Sequence, residues 1–166
     1  MLTPDHPNAK WLADFYRGAA DVENDPLLDE DARERAVNEL TQRALSKISP
    51  DFRIHTGGNR LGTTGDLAFT LAYMARRKAL TGGTFRPIAI DQILADDEYG
   101  VIHGTFGAEQ NGKAFKLVGM GVWRFDESGR AVEHWEIGPG HEWDRLFLAG
   151  DPDLGDGSAT EFWTKD

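Results

Sequence analysis

The sequence predicts an α+β domain in which three N-terminal helices pack on one face of a curved antiparallel sheet and close it over a pocket. Three observations lead there. Apolar residues recur at helical spacing in three segments before about residue 80. From Thr84 onward the pattern changes to β-branched and aromatic runs separated by turn residues. Helices gathered ahead of a strand meander form one layer on one sheet face, and a strongly bent sheet covered in this way leaves an open-mouthed cone.

The first helix follows Pro7-Asn8, where Asn8 can cap, and its stripe is Leu12, Phe15, Tyr16 and Ala19 at i, i+3, i+4, i+7 spacing. The acidic stretch from Asp21 to Asp31, with Pro26, breaks it. A second helix is expected from about Asp31 to Ser49, with Val37, Leu40, Ala44 and Ile48 on one side and Pro50 as its stop. Asp51 to Thr56 alternates as a short strand, and Gly57-Gly58 turns the chain. The third helix is expected to begin at Thr63 or Thr64, to bury Leu67, Leu71 and Met74, and to finish with Arg76-Arg77-Lys78 at its negative end. Four strands follow: Thr84 to Leu94, Tyr99 to Glu109, Ala114 to Phe125 and Arg130 to Ile137. Asn111-Gly112 is a strong hairpin signal, because both residues tolerate positive φ.

A length of 166 residues suits one domain, taken as residues 1–150, with 151–166 as a polar, Gly-rich C-terminal tail. Five Trp, nine Phe and three Tyr within 40% hydrophobic content supply a core. The net charge of −10 argues against nucleic acid and against an anionic membrane surface, since both need clustered cations. Without cysteine, disulfides, thiolate chemistry and Cys-type zinc sites are excluded. The first residues carry no basic-then-apolar leader pattern, so a cytoplasmic protein is expected. Gly119-Met120-Gly121 lacks the rest of a phosphate-loop or dinucleotide motif, and no organic cofactor is expected.

Particular residues carry a resemblance. Ile54-His55-Thr56-Gly57-Gly58 with Leu61-Gly62, and Leu80 to Arg86 followed by Leu94 to Glu98, resemble bacterial SnoaL-like proteins. Val122-Trp123-Arg124-Phe125 followed by Gly129-Arg130-Ala131-Val132-Glu133-His134-Trp135 is the best marker. The match, from roughly Asp5 to Leu148, is to the nuclear transport factor 2-like (cystatin-like) superfamily, in its SnoaL-like and ketosteroid isomerase-like branch. The resemblance implies a cone-shaped fold, a conical pocket for a small hydrophobic molecule, and a homodimer through the outer sheet face. It does not transfer a catalytic set. Tyr16 falls where the isomerases keep an oxyanion-binding Tyr, but their protonated Asp falls at about Gly121 and their base near Thr56. The cyclases' Asp falls within Glu136 to His141, which holds no Asp, and the epoxide hydrolases' Arg and Asp fall near Gly104 and Phe106.

The catalytic candidates are therefore His55, His141, Glu133 and Tyr16. His55, in the first strand, is a ready general base near neutral pH, set against a histidine satisfied by a backbone carbonyl. Glu133, Trp135 and Ile137 share one face of the last strand, and His134 and Glu136 the other. If Trp135 walls the pocket, Glu133 does too, in competition with an ion pair to Arg124 or Arg53. Tyr16 can donate to a substrate oxygen or be plain core, and His141 stands on a loop where the cyclases place their Asp. His134, Glu136 and His141 as a metal set are disfavoured, and no metal is expected. Phe15, Tyr73, His103, Phe106, Met120, Trp123 and Trp135 are candidate pocket walls, with His103 dependent on a one-residue register choice. The expected function is cofactor-independent acid/base catalysis on a small hydrophobic molecule: isomerisation, cyclisation, dehydration or epoxide opening. The alternative is a non-catalytic module of the same fold that binds an apolar ligand or a protein.

Overall fold

Pro7 opens α1 (Pro7–Asn24) at a position where a missing N–H costs nothing. The cap is His6, whose Nδ1 accepts from the Asn8 N–H, not Asn8 as the sequence suggests. Asn8 is turned inward instead: its amide donates to the Asp96 carbonyl and its oxygen accepts from Lys47 Nζ. The computed structural model describes residues 1–57, 64–110, 112–140 and 143. Asp29 caps α2 (Glu30–Leu45) by accepting from Ala32 N–H, and Glu30 and Asp31 suit the positive end of the helix. That helix ends earlier than expected, because β1 (Ile48–His55) already begins at Ile48 and takes in Pro50. Its ladder shifts register between Ile48 and Arg53, and such an irregularity is where a strand can hold a residue without an N–H.

After β2 (Thr64–Gly65), Asp66 caps α3 (Leu67–Leu80) through the Phe69 N–H, so the helix starts later than Thr63 or Thr64. It buries Thr70 and Tyr73, while Leu71 is exposed, a rotation from the expected stripe. Tyr73 wins the inward place because its hydroxyl finds a partner there, as described below. The remaining strands are β3 (Arg86–Ala95), β4 (Tyr99–Gln110), β5 (Lys113–Phe125) and β6 (Ala131–Ile137). Gly112 and Gly129 take the positive φ values, 72° and 76°, that their turns need, while Asn111 lies outside the described residues.

The six strands run in the order β2-β1-β6-β5-β4-β3. β1 lies parallel to β6, so the sheet is mixed and not wholly antiparallel as its meander suggests. The long connection through α3 and four strands allows that parallel pairing, which no hairpin could make. Register shifts in β1, β3 and the β5–β6 ladder bend the sheet. α1 packs on β3 and α2, and α3 packs on β1. The core runs between the layers from Leu12 through Phe52, Ile54, Ile102 and Trp123 to Phe125, with Trp11 edge-on to Trp123 at 5.5 Å and to Phe125 at 5.8 Å. Among the described residues no helix is long and apolar enough to cross a membrane.

Gly104 of β4 marks where β3 leans inward. A Cβ there would stand 2.6 Å from the Ala89 carbonyl oxygen and 2.9 Å from Ile90 Cδ1. Backbone oxygen in a paired strand cannot step aside. Gly104→Ala is expected to cost about 1–3 kcal/mol, read as a lowered urea midpoint at unchanged slope.

Candidate functional site

The helical layer and the sheet enclose a cavity of about 240 Å³. That exceeds the ~150 Å³ apolar cavity that admits benzene. Its walls are mostly apolar: Trp11, Phe15 and Ala19 from α1, Leu40 from α2, Phe52 from β1, Phe106 from β4 and Trp123 from β5. Polar groups enter at a few points, chiefly Tyr16, Thr70, Arg77, His134 and Glu136.

Strand alternation sorts the last strand into two faces. His134 and Glu136 face the cavity, and Glu133 and Trp135 stand on the other side. This reverses the inward placement of Glu133 and Trp135 expected if Trp135 walls the pocket. Trp135 stacks on His55 outside, with centroids 5.0 Å apart and planes 3° from parallel. His55 is thus an outer-face residue as well. Its Nε2 lies 2.7 Å from Glu133 Oε1 and its Nδ1 2.8 Å from Thr64 Oγ1. A carboxylate only accepts, so Nε2 carries a proton and a neutral ring takes the Thr64 hydroxyl proton at Nδ1. Arg124 grips the other Glu133 oxygen through Nε at 2.9 Å and a terminal nitrogen at 2.8 Å. Burial pushes the Glu133 carboxyl up, but the His55 and Arg124 hydrogen bonds and the Arg124 charge outweigh it and hold it below the usual range. An ionised, paired carboxylate of that kind ties β1, β5 and β6 together.

Glu136 has the opposite character. Tyr73 donates to its Oε2 at 2.6 Å, and the Tyr73 oxygen in turn accepts from Trp143 Nε1 at 2.9 Å. Burial raises its carboxyl, and the Arg77 charge, the Tyr73 hydroxyl, the Gly57 N–H and the Trp143 indole offset only part of that rise. The Tyr73 hydroxyl is itself pushed up by burial and by the Glu136 charge. Tyr73 stands behind the wall as support for Glu136. His134, stacked on Trp123 at 4.0 Å, is lowered to about 3 by burial, with smaller contributions from the charges of Arg77 and His55, and is neutral at ordinary pH.

Tyr16 lines the cavity. Burial and the Glu136 charge raise its hydroxyl, and the nearby Trp123 indole and the Arg77 charge offset part of the rise. Phe15, Phe106 and Trp123 line the wall as well. Met120 borders the cavity yet stands 39% exposed, opposite His103 in the ladder. His103 faces outward and pairs with Asp91 at 3.2 Å. His141 lies outside the described residues. Arg77 and Trp143 line the cavity without having been singled out in the sequence, while His134 and Glu136, weighed there only as a disfavoured metal set, and Gly121 were not assigned to its wall. The signal for His134 and Glu136 was the two-residue period of β6, which names the pairs that share a face but not which face is inside.

No family model matches the chain, and no curated protein matches it. Solved structures do. Bal32a, from a soil-derived mobile gene cassette, matches at 21% identity over 84% of this chain and 95% of its own, with a TM-score of 0.60. A nuclear transport factor 2-like protein from Burkholderia pseudomallei matches at 23% identity over 86% of this chain and 98% of its own, with a TM-score of 0.60. TerC, crystallised with polyporic acid, matches at 18% identity over 86% of this chain and 99% of its own, with a TM-score of 0.59. At such identities the likeness is one of fold, and it agrees with the layers, sheet and cavity described above. The chain has the nuclear transport factor 2-like, cystatin-like fold that its sequence resembles.

Proposed function

We propose that the protein is an acid/base enzyme acting on a small, largely hydrophobic molecule in this cavity, with Glu136 as the group that moves the proton. One observation carries the reading: a carboxyl group facing an apolar cavity, raised by burial and held in place by Tyr73. A carboxyl raised by burial holds a proton more readily than a free one and can hand it to, or take it from, a bound molecule. Neutral His134 and the Tyr16 hydroxyl supply uncharged polar contacts beside it. The role that the sequence reading assigns to Glu133 passes to Glu136, and the outer His55–Glu133 pair serves the sheet. TerC, of the same fold, was crystallised with polyporic acid, which supports a small organic molecule as the occupant. Val118, Met120 and Ile137 stand exposed on the outer side, where a second copy of the chain would pack, a state that sedimentation velocity distinguishes from monomer.

The test uses 2-tetralone, a two-ring ketone with exchangeable α-protons, followed by NMR in deuterated buffer. The protein is expected to accelerate exchange, and Glu136→Gln to lose about 10²-fold or more of that acceleration with folding intact. Equal exchange by both proteins, with 2-tetralone bound, would favour the second reading, a binding module. That reading has its own support: Tyr73, Gly57 and Trp143 already satisfy the Glu136 carboxyl.

A further inference from the structure

The outer face of the sheet holds a second arrangement of polar side chains, apart from the cavity. Thr64 of β2 stands directly across the ladder from His55 of β1, so the two side chains emerge on the same face. The Thr64 hydroxyl lies 2.8 Å from His55 Nδ1, and Glu133 Oε1 lies 2.7 Å from Nε2 on the other side of the ring. Hydroxyl, imidazole and carboxylate thus follow one another at hydrogen-bond distance. That order of nucleophile, base and orienting acid is the one that activates a hydroxyl.

The row is fixed from outside itself. Arg124 holds the second Glu133 oxygen through two nitrogens, which leaves Oε1 to His55. The carboxylate only accepts, so it keeps a proton on Nε2 and leaves the Nδ1 lone pair for the Thr64 hydroxyl. Trp135, stacked 3° from parallel, keeps the ring from turning. Exposure rises along the row, from 19% for the Glu133 side chain to 31% for His55, and Thr64 is exposed on the edge strand of the sheet. The hydroxyl at the open end is the atom that an incoming molecule meets.

We propose that Thr64 is an acyl-acceptor site, its hydroxyl attacking the carbonyl carbon of an activated ester or thioester with His55 as general base. The bond from Thr64 Oγ1 to that carbon forms, and the bond from the carbon to the leaving oxygen or sulfur breaks. The hydroxyl proton passes to His55 Nδ1. Glu133 stabilises the resulting imidazolium until it hands a proton to the departing group. The product is Thr64 carrying the acyl group as an ester, and no oxidant or further reactant enters. An exposed hydroxyl selects its donor by reactivity more than by shape, so the leaving group sets the class. The site lies across the sheet from the cavity and stands whatever the cavity binds.

The experiment treats the protein with p-nitrophenyl acetate and follows acetylation of each residue by tandem mass spectrometry after digestion. Thr64 in the urea-unfolded chain is the reference. Thr64 in the folded protein is expected to be acetylated about 10²-fold or more faster than that reference. His55→Phe keeps a ring on Trp135 and is expected to abolish the advantage. ¹⁵N spectra of the imidazole are expected to place the His55 proton at Nε2, and Glu133→Gln to lose that preference together with about tenfold or more of the rate. Equal rates in the folded and unfolded protein, an advantage that survives in either variant, or a His55 proton at Nδ1 would overturn the acceptor site. Acetyl groups found on His55 and not on Thr64 would do the same, since the ring would then be the nucleophile.

Discussion

Replacing His134 with phenylalanine is expected to make the protein distinctly more resistant to acid. His134 is 8% exposed, and its pKa is lowered from 6.5 to about 3, chiefly because burial disfavours the charged ring. The unfolded chain then binds a proton that the folded chain refuses. Its contribution to stability is complete above pH 6.5 and is lost as pH falls through the window from 6.5 to about 3. A gap of that size corresponds to roughly 5 kcal/mol in total, a large share of an ordinary domain's stability. Glu136 works with the opposite sign. Its folded pKa is raised, so its contribution is present below the ordinary carboxylate value of 4.5 and is lost as pH rises through the higher folded value. Phenylalanine keeps the stacking on Trp123 and removes only the His134 titration. Urea midpoints at pH 7 and pH 5 check the point: the wild type should lose roughly 2 kcal/mol between them through this residue, and His134→Phe should lose less by that amount. Parallel pH profiles would show that His134 is charged in the folded protein after all.

Phe52→Ala should produce a loss of comparable size at every pH. Phe52 is 2% exposed, packs at 5.9 Å on Trp123 and forms part of the cavity wall. Truncation removes the apolar contact and leaves a void that β1, pinned to β6 on one side, cannot close. The expected cost is about 3–5 kcal/mol, measured by urea unfolding. Because the void joins the existing cavity, the variant should also bind 2-tetralone more weakly, having lost one apolar wall. A cost below about 1 kcal/mol would mean that the wall collapses inward and that the cavity is softer than its packing indicates.

The placement of Glu133 and Glu136 shows how legible the site was. Both carboxylates sit three residues apart on one strand, each beside a ring, His134 for Glu133 and Trp135 for Glu136. Only their surroundings separate them. Arg124 and His55 come from β5 and β1 to fix one as an outer ion pair, while Tyr73 reaches the other from α3 and is itself held by Trp143, just beyond the end of β6. His55 misleads for a similar reason: its strand was foreseen, but the Trp135 ring that covers it belongs to the far end of the sequence.

Local pattern by itself determined the helices, the strands of the meander, the turn glycines Gly112 and Gly129 and the single helical layer. Those features follow from period, caps and breakers within a dozen residues. Tertiary structure alone decided that β1 runs parallel to β6, that Tyr73 and not Leu71 turns inward, and which face of β6 carries the chemistry. Alternation in a strand fixes which side chains travel together, and only the layer that packs against the sheet decides which set is buried.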